Sequence, residues 1–309
     1  MRRWALKLKK NPRKETFFIG KRRDLGRKAI SMLKKMSKLE EETMKHIILS
    51  VNSLKNIVTE LYKKDIELYR LTKTSTLLMM SGVTPNSIPQ YVLDKCVREQ
   101  HEDGGWVSIV DTAWNVKFLT LLDRAKFKER IEKGLNFIIS KRNSDGIWGR
   151  HKRDISRIPV TGLILFLLPE LSSYDKLLTL EKLWLKEYLS ITYKAAYILL
   201  AFNKVNYKPQ NSNMIWQTVD WLVKQQREEG GFAPWKEHVI DSDVFCTSAA
   251  LLGLLSYQDL VALEVLKKGY DWLIKNQLAS GLWKYHQIED GSSWGVYALV
   301  ELSKVLKHG

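Results

Sequence analysis

The sequence predicts an all-α protein: a closed ring of about six helical hairpins, an (α/α)6 toroid, led by a basic N-terminal helical arm. Three observations carry this. A glycine-plus-aromatic loop recurs four times, as Gly105–Trp106, Gly146 with Trp148, Gly231–Phe232 and Gly281 with Trp283. An amphipathic segment precedes each loop, clearest in WLVKQQ from Trp221 and WLIKNQ from Trp272. A nearly all-apolar segment with Ala, Ser and Gly along it follows each loop, which marks a helix buried on every side. The repeat is therefore an outer, half-exposed helix and an inner, buried one. Stacked hairpins can form an open solenoid, but only a closed ring hides all of the inner helices.

The elements follow in order. Residues 1–38 form the arm, and residues 39–309 the toroid. The first hairpin runs from about Leu39 to Tyr62 and from Ile66 to Met80. The second and third surround REQHEDGGW from Arg98 and SKRNSDGIWG from Ser140. The fourth, LEKLWLKEYLSITYKAAYILLAF from Leu180, lacks the Gly-aromatic loop and reads as shorter. YKPQNSN from Tyr207 separates it from the fifth, and KNQLASGLWKYHQ from Lys275 opens the sixth. Each loop glycine suits a helix C-terminal cap, where positive φ is easy. Asp111, Asp241 or Asp243, and Ser292 or Ser293 stand where the inner helices need N-caps.

Composition narrows the function. Residues 1–40 hold 15 Lys/Arg and 3 Asp/Glu, whereas the remainder holds 35 and 31. The net charge of +16 is thus mostly an N-terminal property, suited to an anionic membrane surface. No nucleic-acid motif accompanies it, which argues against nucleic acid. The longest apolar stretch, VTGLILFLLPEL from Val160, is too short to span a bilayer, and MRRWALKLKK lacks a signal peptide's apolar core. Two distant cysteines, Cys96 and Cys246, make no disulfide framework or zinc finger. A cytoplasmic protein, peripheral to the membrane through its arm, is expected.

The repeats resemble the Gln-and-Trp repeat of squalene and oxidosqualene cyclases, class II terpene cyclases and protein prenyltransferase β subunits. In that repeat a helix ends in Gln, Gly follows, and Trp comes next. Gln100 with Trp106, Gln226 with Phe232, and Gln277 with Trp283 match, while the second repeat has Arg142 near the Gln position. The resemblance covers roughly residues 66 to 309. It implies the toroid and an isoprenoid substrate, although a shared scaffold leaves the chemistry to the site.

The family's chemical motifs are incomplete here. The cyclase signature is Asp-x-Asp-Asp-Thr-Ala, with the middle Asp as proton donor. Aligned on Thr247, Asp243 takes the first Asp, and the acid position falls on Phe245. In the earlier repeat Asp111-Thr112-Ala113 matches the end, with Val110 at the acid position. The prenyltransferase zinc site fares no better: Asp241 matches the zinc Asp, but Asp243 replaces the Cys and Trp294 the His. That argues against zinc, although a different cluster of Asp241, Asp243, Cys246, His238 and His286 remains as an alternative.

Asp241 and Asp243 read most simply as helix caps. A helix N-terminus also favours the ionised carboxylate, the wrong form for a proton donor. Two carboxylates one residue apart could nevertheless share a proton at the ring's mouth, raising one apparent pKa. The loop carrying Arg150, His151, Lys152, Arg153 and Arg157, with Lys236 and His238, could clamp a diphosphate, which would bring Mg²⁺ with it. Trp114 and Trp294, near inner-helix starts, could stabilise a carbocation. The reading that results is a terpene-cyclase-like enzyme. It holds a polyprenyl diphosphate in an apolar, aromatic cavity whose mouth gathers these carboxylates and bases. Asp243, Asp241 or Asp111 supplies the proton. A non-catalytic lipid- or peptide-binding toroid, and a prenyltransferase with altered or no zinc, are the alternatives.

Overall fold

The computed structural model describes residues 40–151, 154–187 and 190–306. The chain divides into two units, Met1–Lys45 and His46–Gly309. In the first, residues 40–45 are helical, and the predicted arm lies outside the described residues.

The second unit is the ring. Its outer helices are α1 (46–63), α3 (Gln90–Arg98), α5 (Lys128–Ser140), α7 (Tyr174–Glu187), α9 (Met214–Lys224) and α11 (Leu263–Lys275). The inner helices are α2 (Leu68–Met80), α4 (Ile109–Asp123), α6 (Ile158–Leu167), α8 (Thr192–Lys204), α10 (Val244–Leu255) and α12 (Ile288–Leu306). Each inner helix packs on the next, from α2 to α12, and α12 returns to α2. The circle is closed, as the repeat pattern predicts. α7, α9 and α11 each wedge between two successive inner helices. Small residues allow the inner helices to approach closely: a Cβ on Gly253 of α10 would stand 2.9 Å from the Ala196 Cα of α8.

A clasp at each loop fixes the hairpin angle. In the loop after α3, the His101 N–H donates to the Gly105 carbonyl and the Gly104 N–H to the His101 carbonyl, at 2.9 and 3.0 Å. The same turn recurs at Asn143–Ile147, Arg227–Gly231 and Leu278–Leu282. Gly104, Gly146, Gly230 and Gly281 take the left-handed position, with φ from +83° to +96°. The aromatic that follows plugs the hairpin. Its backbone N–H donates to a hydroxyl near the start of the inner helix, from Trp106 to Thr112, Trp148 to Thr161, Phe232 to Thr247 and Trp283 to Ser292. The indole N–H groups of Trp106, Trp148 and Trp283 donate back to outer-helix carbonyls of Cys96, Ile138 and Leu273.

The glutamines tie neighbouring hairpins together. Gln100 Nε2 donates to the Gly104 carbonyl and to the Arg130 carbonyl of α5. Gln226 does the same between Gly230 and Val265 of α11. Gln277 joins Gly281 to His46 of α1, across the seam between the last and first hairpins. Ser50 Oγ adds a 2.6 Å bond to the Gly281 carbonyl. Arg142, in the Gln position of the second repeat, reaches only the Ile139 carbonyl of its own helix end.

Four details differ from the expectations. The left-handed glycine is the first of the pairs Gly104–Gly105 and Gly230–Gly231, and it serves the turn rather than the helix end. Ser108, not Asp111, caps α4, because its Oγ accepts from the Asp111 N–H at 3.1 Å. Ser292 and Ser293 lie inside α12, which starts at Ile288. The fourth hairpin is full length, since α7 begins at Tyr174 just after Ser172 and Ser173.

A Cβ at Gly230 would stand 2.3 Å from the Lys268 carbonyl oxygen of α11, whereas one at Gly146 meets nothing within 4 Å. Gly146→Ala should therefore cost only the left-handed penalty of about 1–2 kcal/mol. Gly230→Ala adds displacement of α11 and should cost about 2–5 kcal/mol in all. Urea unfolding of the two variants compares them directly.

Candidate active site

The inner helices start at one end of the ring, and pockets open between their first turns. The mouth pocket, about 450 Å³, is walled by Val110 of α4, Ile158 and Leu163 of α6, Tyr193 and Tyr197 of α8, and Phe245 of α10. Arg150, Arg157, Lys194 and Glu187 form its polar rim. Arg157 is held by Asp154 through bonds of 2.5 and 2.8 Å, and this bond keeps the Asp154 carboxyl well below the usual range. Lys194 pairs with Glu187 at 2.9 Å. The Arg150 side chain is exposed at the rim.

Behind the mouth the aromatic rings meet each other. Trp294 of α12 lies edge-on to Trp114 of α4, with centroids 6.1 Å apart, and touches Tyr197 and Phe245 at 6.3 and 5.9 Å. Trp114 and Trp294 are at most 1% exposed. The aromatic interior is thus packed at this level, where the sequence suggested a hollow; large planar side chains from three non-adjacent helices span the ring's small radius.

A second pocket, about 660 Å³, opens between α2, α3 and α4 and is lined by Tyr69, Lys95, Trp106, Asp111 and Asn115, among others. Burial raises the Asp111 carboxyl above the ordinary 3.8, although bonds to Ser108 and the charge of Lys73 oppose this. Burial likewise raises the Tyr69 hydroxyl, helped by the charges of Asp290 and Asp111. Two cross-helix ion pairs close the α2–α12 seam beside it. Arg70 Nε lies 2.6 Å from Glu289, which is 2% exposed, and Lys73 Nζ lies 2.7 Å from Asp290. The Lys73 ammonium also sits 5.5 Å from the Trp114 ring centroid.

Asp241 and Asp243 line a third pocket, about 630 Å³, with Trp272, Tyr285 and His286. Asp243 is the N-cap of α10, its Oδ1 accepting from the Cys246 N–H at 2.8 Å. Asp241 is exposed on the loop. The single mouth that would gather Asp111, Asp241, Asp243 and the bases is therefore three separate pockets, because each inter-hairpin groove has its own walls. Lys236 and His238 line none of these three pockets; Arg227 grips both of their backbone carbonyls and folds that loop over. His151 is exposed, and Lys152 and Arg153 lie outside the described residues.

Residues 183–299 match the squalene-hopene cyclase C-terminal domain family. Lanosterol synthase of Candida albicans is 31% identical over 111 residues, which are 32% of this chain and 14% of the synthase. Protostadienol synthase A of Arthroderma gypseum is 28% identical over 128 residues, 37% of this chain and 16% of that one. These stretches are a small part of either synthase. The type II terpene cyclase MstE from Scytonema, in a variant complexed with its substrate geranylgeranyl dihydroxybenzoate, superimposes with a TM-score of 0.62. At 12% identity, the match covers 85% of this chain and 99% of MstE. Over residues 183–299 the chain is thus similar to the squalene-hopene cyclase C-terminal domain, and its fold is the one MstE has.

Two positions singled out by the sequence resemblance take definite places in the structure. Phe245, where the acid would be, faces the mouth pocket, and Val110, its counterpart in the earlier repeat, lines the same pocket. Trp294, where a zinc His would be, is buried among aromatic rings. Burial also raises the Cys246 thiol far from ionisation. No group of three His, Cys, Asp or Glu side chains converges as a metal site among the described residues. Sequence reading missed Tyr193, Tyr197, Lys194, Tyr69 and Lys73. A tyrosine pair at i and i+4, and a lysine within an apolar inner helix, were the available signals.

The Lys73–Asp290 pair is only 13% and 15% exposed. Lys73→Met and Asp290→Leu should each destabilise by about 2–4 kcal/mol, and the double variant by less than their sum, as a chemical-denaturation cycle reads. Because the folded-state pKa of Asp111 is raised, its contribution to stability is lost as pH rises from 3.8 through the folded value. Asp111→Asn should flatten that part of the stability–pH curve relative to wild type.

Proposed function

We propose that the ring is a terpene-cyclase-like enzyme. It binds an isoprenoid chain with an anionic head, a diphosphate, at the mouth, and Asp111 starts cyclisation by protonation. The observation that carries this is the first turn of α4. Val110 lines the apolar mouth pocket, and the next residue, Asp111, is the carboxyl that burial keeps protonated to higher pH. Arg150 and Lys194 at the rim suit the head, and the apolar wall suits the chain. Asp111 lines the neighbouring second pocket, so an alkene partway along the chain has to cross the first turn of α4 to meet it.

The carboxyl proton passes to an alkene carbon, leaving a carboxylate and a tertiary cation, which internal alkenes trap by ring closure; the ring cation then loses a proton from a neighbouring carbon to water, giving a cyclic alkene, and the Asp111 carboxylate regains a proton from water. Tyr193 and Tyr197 in the pocket wall, rather than the enclosed Trp114, are the rings within reach of such a cation. Residues 1–40 would hold the enzyme at an anionic membrane surface, where isoprenoids dissolve.

A second reading, an isoprenoid-binding ring without turnover, is favoured by Phe245 at the aligned acid position and by Asp243 in a cap. Incubation with geranyl, farnesyl and geranylgeranyl diphosphates and Mg²⁺, followed by mass spectrometry of extracts, separates the two. The enzyme reading expects cyclised product, at least 100-fold less in Asp111→Asn, unchanged product skeletons in Asp241→Asn, and a raised KM in Arg150→Ala. Tight binding with no product in wild type would establish the binding protein instead.

A further inference from the structure

We infer that Phe245 sets the length of isoprenoid chain that the mouth pocket accepts, an inference that rests on the isoprenoid reading above. Phe245 forms part of the pocket wall and is half-buried. Its ring leans on Tyr193 and Trp294, each 5.9 Å away, and on Tyr285 at 6.2 Å. It therefore stands between the pocket and the packed aromatic centre.

The other floor residue, Tyr197, is fixed. It is 5% exposed, touches Trp294, and its helix lies so close to α6 that a Cβ on Gly162 would come within 2.9 Å of the Tyr197 Cβ. Trp114 and Trp294 behind it are fully enclosed. Phe245 is held by ring contacts that a rotamer change can exchange, so the chain's end meets its adjustable stop here. At about 450 Å³ the pocket sits near the small end of ligand sites, which run from about 300 to 1,000 Å³. Removing the ring opens the pocket toward Trp294, and enlarging it shortens the pocket.

Isothermal titration with geranyl, farnesyl and geranylgeranyl monophosphates, without Mg²⁺, tests this on the full chain. Wild type should bind farnesyl best. Phe245→Ala should move the optimum to geranylgeranyl, changing the geranylgeranyl-to-farnesyl affinity ratio by about tenfold or more, and Phe245→Trp should move it to geranyl. Phe245→Leu replaces the alanine variant if thermal melting shows the latter unfolded. Steadily tighter binding with each added isoprene unit in wild type, or one optimum shared by all variants, would overturn the inference while leaving the isoprenoid reading intact. No wild-type binding at any length overturns that reading, and the inference with it.

Discussion

An aromatic side chain pinned between the two helices of a hairpin is the contact from which the ring is built. Trp106, Trp148, Phe232 and Trp283 each fill the wedge where outer and inner helix diverge, and their backbone N–H groups bind an inner-helix hydroxyl. That fixes the angle of each hairpin. Four of the six hairpins share this clasp, and around the chain the inner helices succeed one another until α12 meets α2. Phe232 lacks the indole donor yet keeps the same place, so the packed ring carries the geometry and the N–H bond refines it.

Glutamine supplies the second condition. An angle alone would allow an open superhelix; bonds from Gln100, Gln226 and Gln277 to the next outer helix fix the rise between hairpins. The seam uses the same device, with Gln277 reaching α1, and adds ion pairs on the inner helices. Charged pairs are tolerated there because each carboxylate has a cation within 2.6–2.7 Å. Their position beside Trp114 and Asp111 places fixed charges next to the carboxyl whose pKa burial raises, so closure of the ring and the electrostatics of the candidate site share residues.

How much of this was readable from the sequence varied by element. The hairpins were legible because helix periodicity and the Gly-aromatic loop are local signals. The clasp hydroxyls were less so: Thr112, Thr161 and Thr247 look like ordinary helix residues until the loop folds onto them. The acid candidates divided in a similar way. Asp243 was readable as a cap from its position before an apolar run. The burial that raises Asp111 was not, since it comes from α2 and α3 packing across the second pocket. Tyr197 and Lys73 became site residues only through neighbours more than 90 positions away, Trp294 and Asp290.

The sequence by itself determined an all-α ring of six hairpins, with glutamine, glycine and tryptophan at set spacings, because those features depend on residues within one hairpin. Only the tertiary structure decided that the carboxylates and bases fall into separate grooves. It alone also decided that Trp114, Trp294, Tyr197 and Phe245 fill the centre and leave the open volume at the mouth. The reason is geometric: which side chains meet across a ring depends on its radius and on the rotation of each inner helix, and both emerge only when all the hairpins close together.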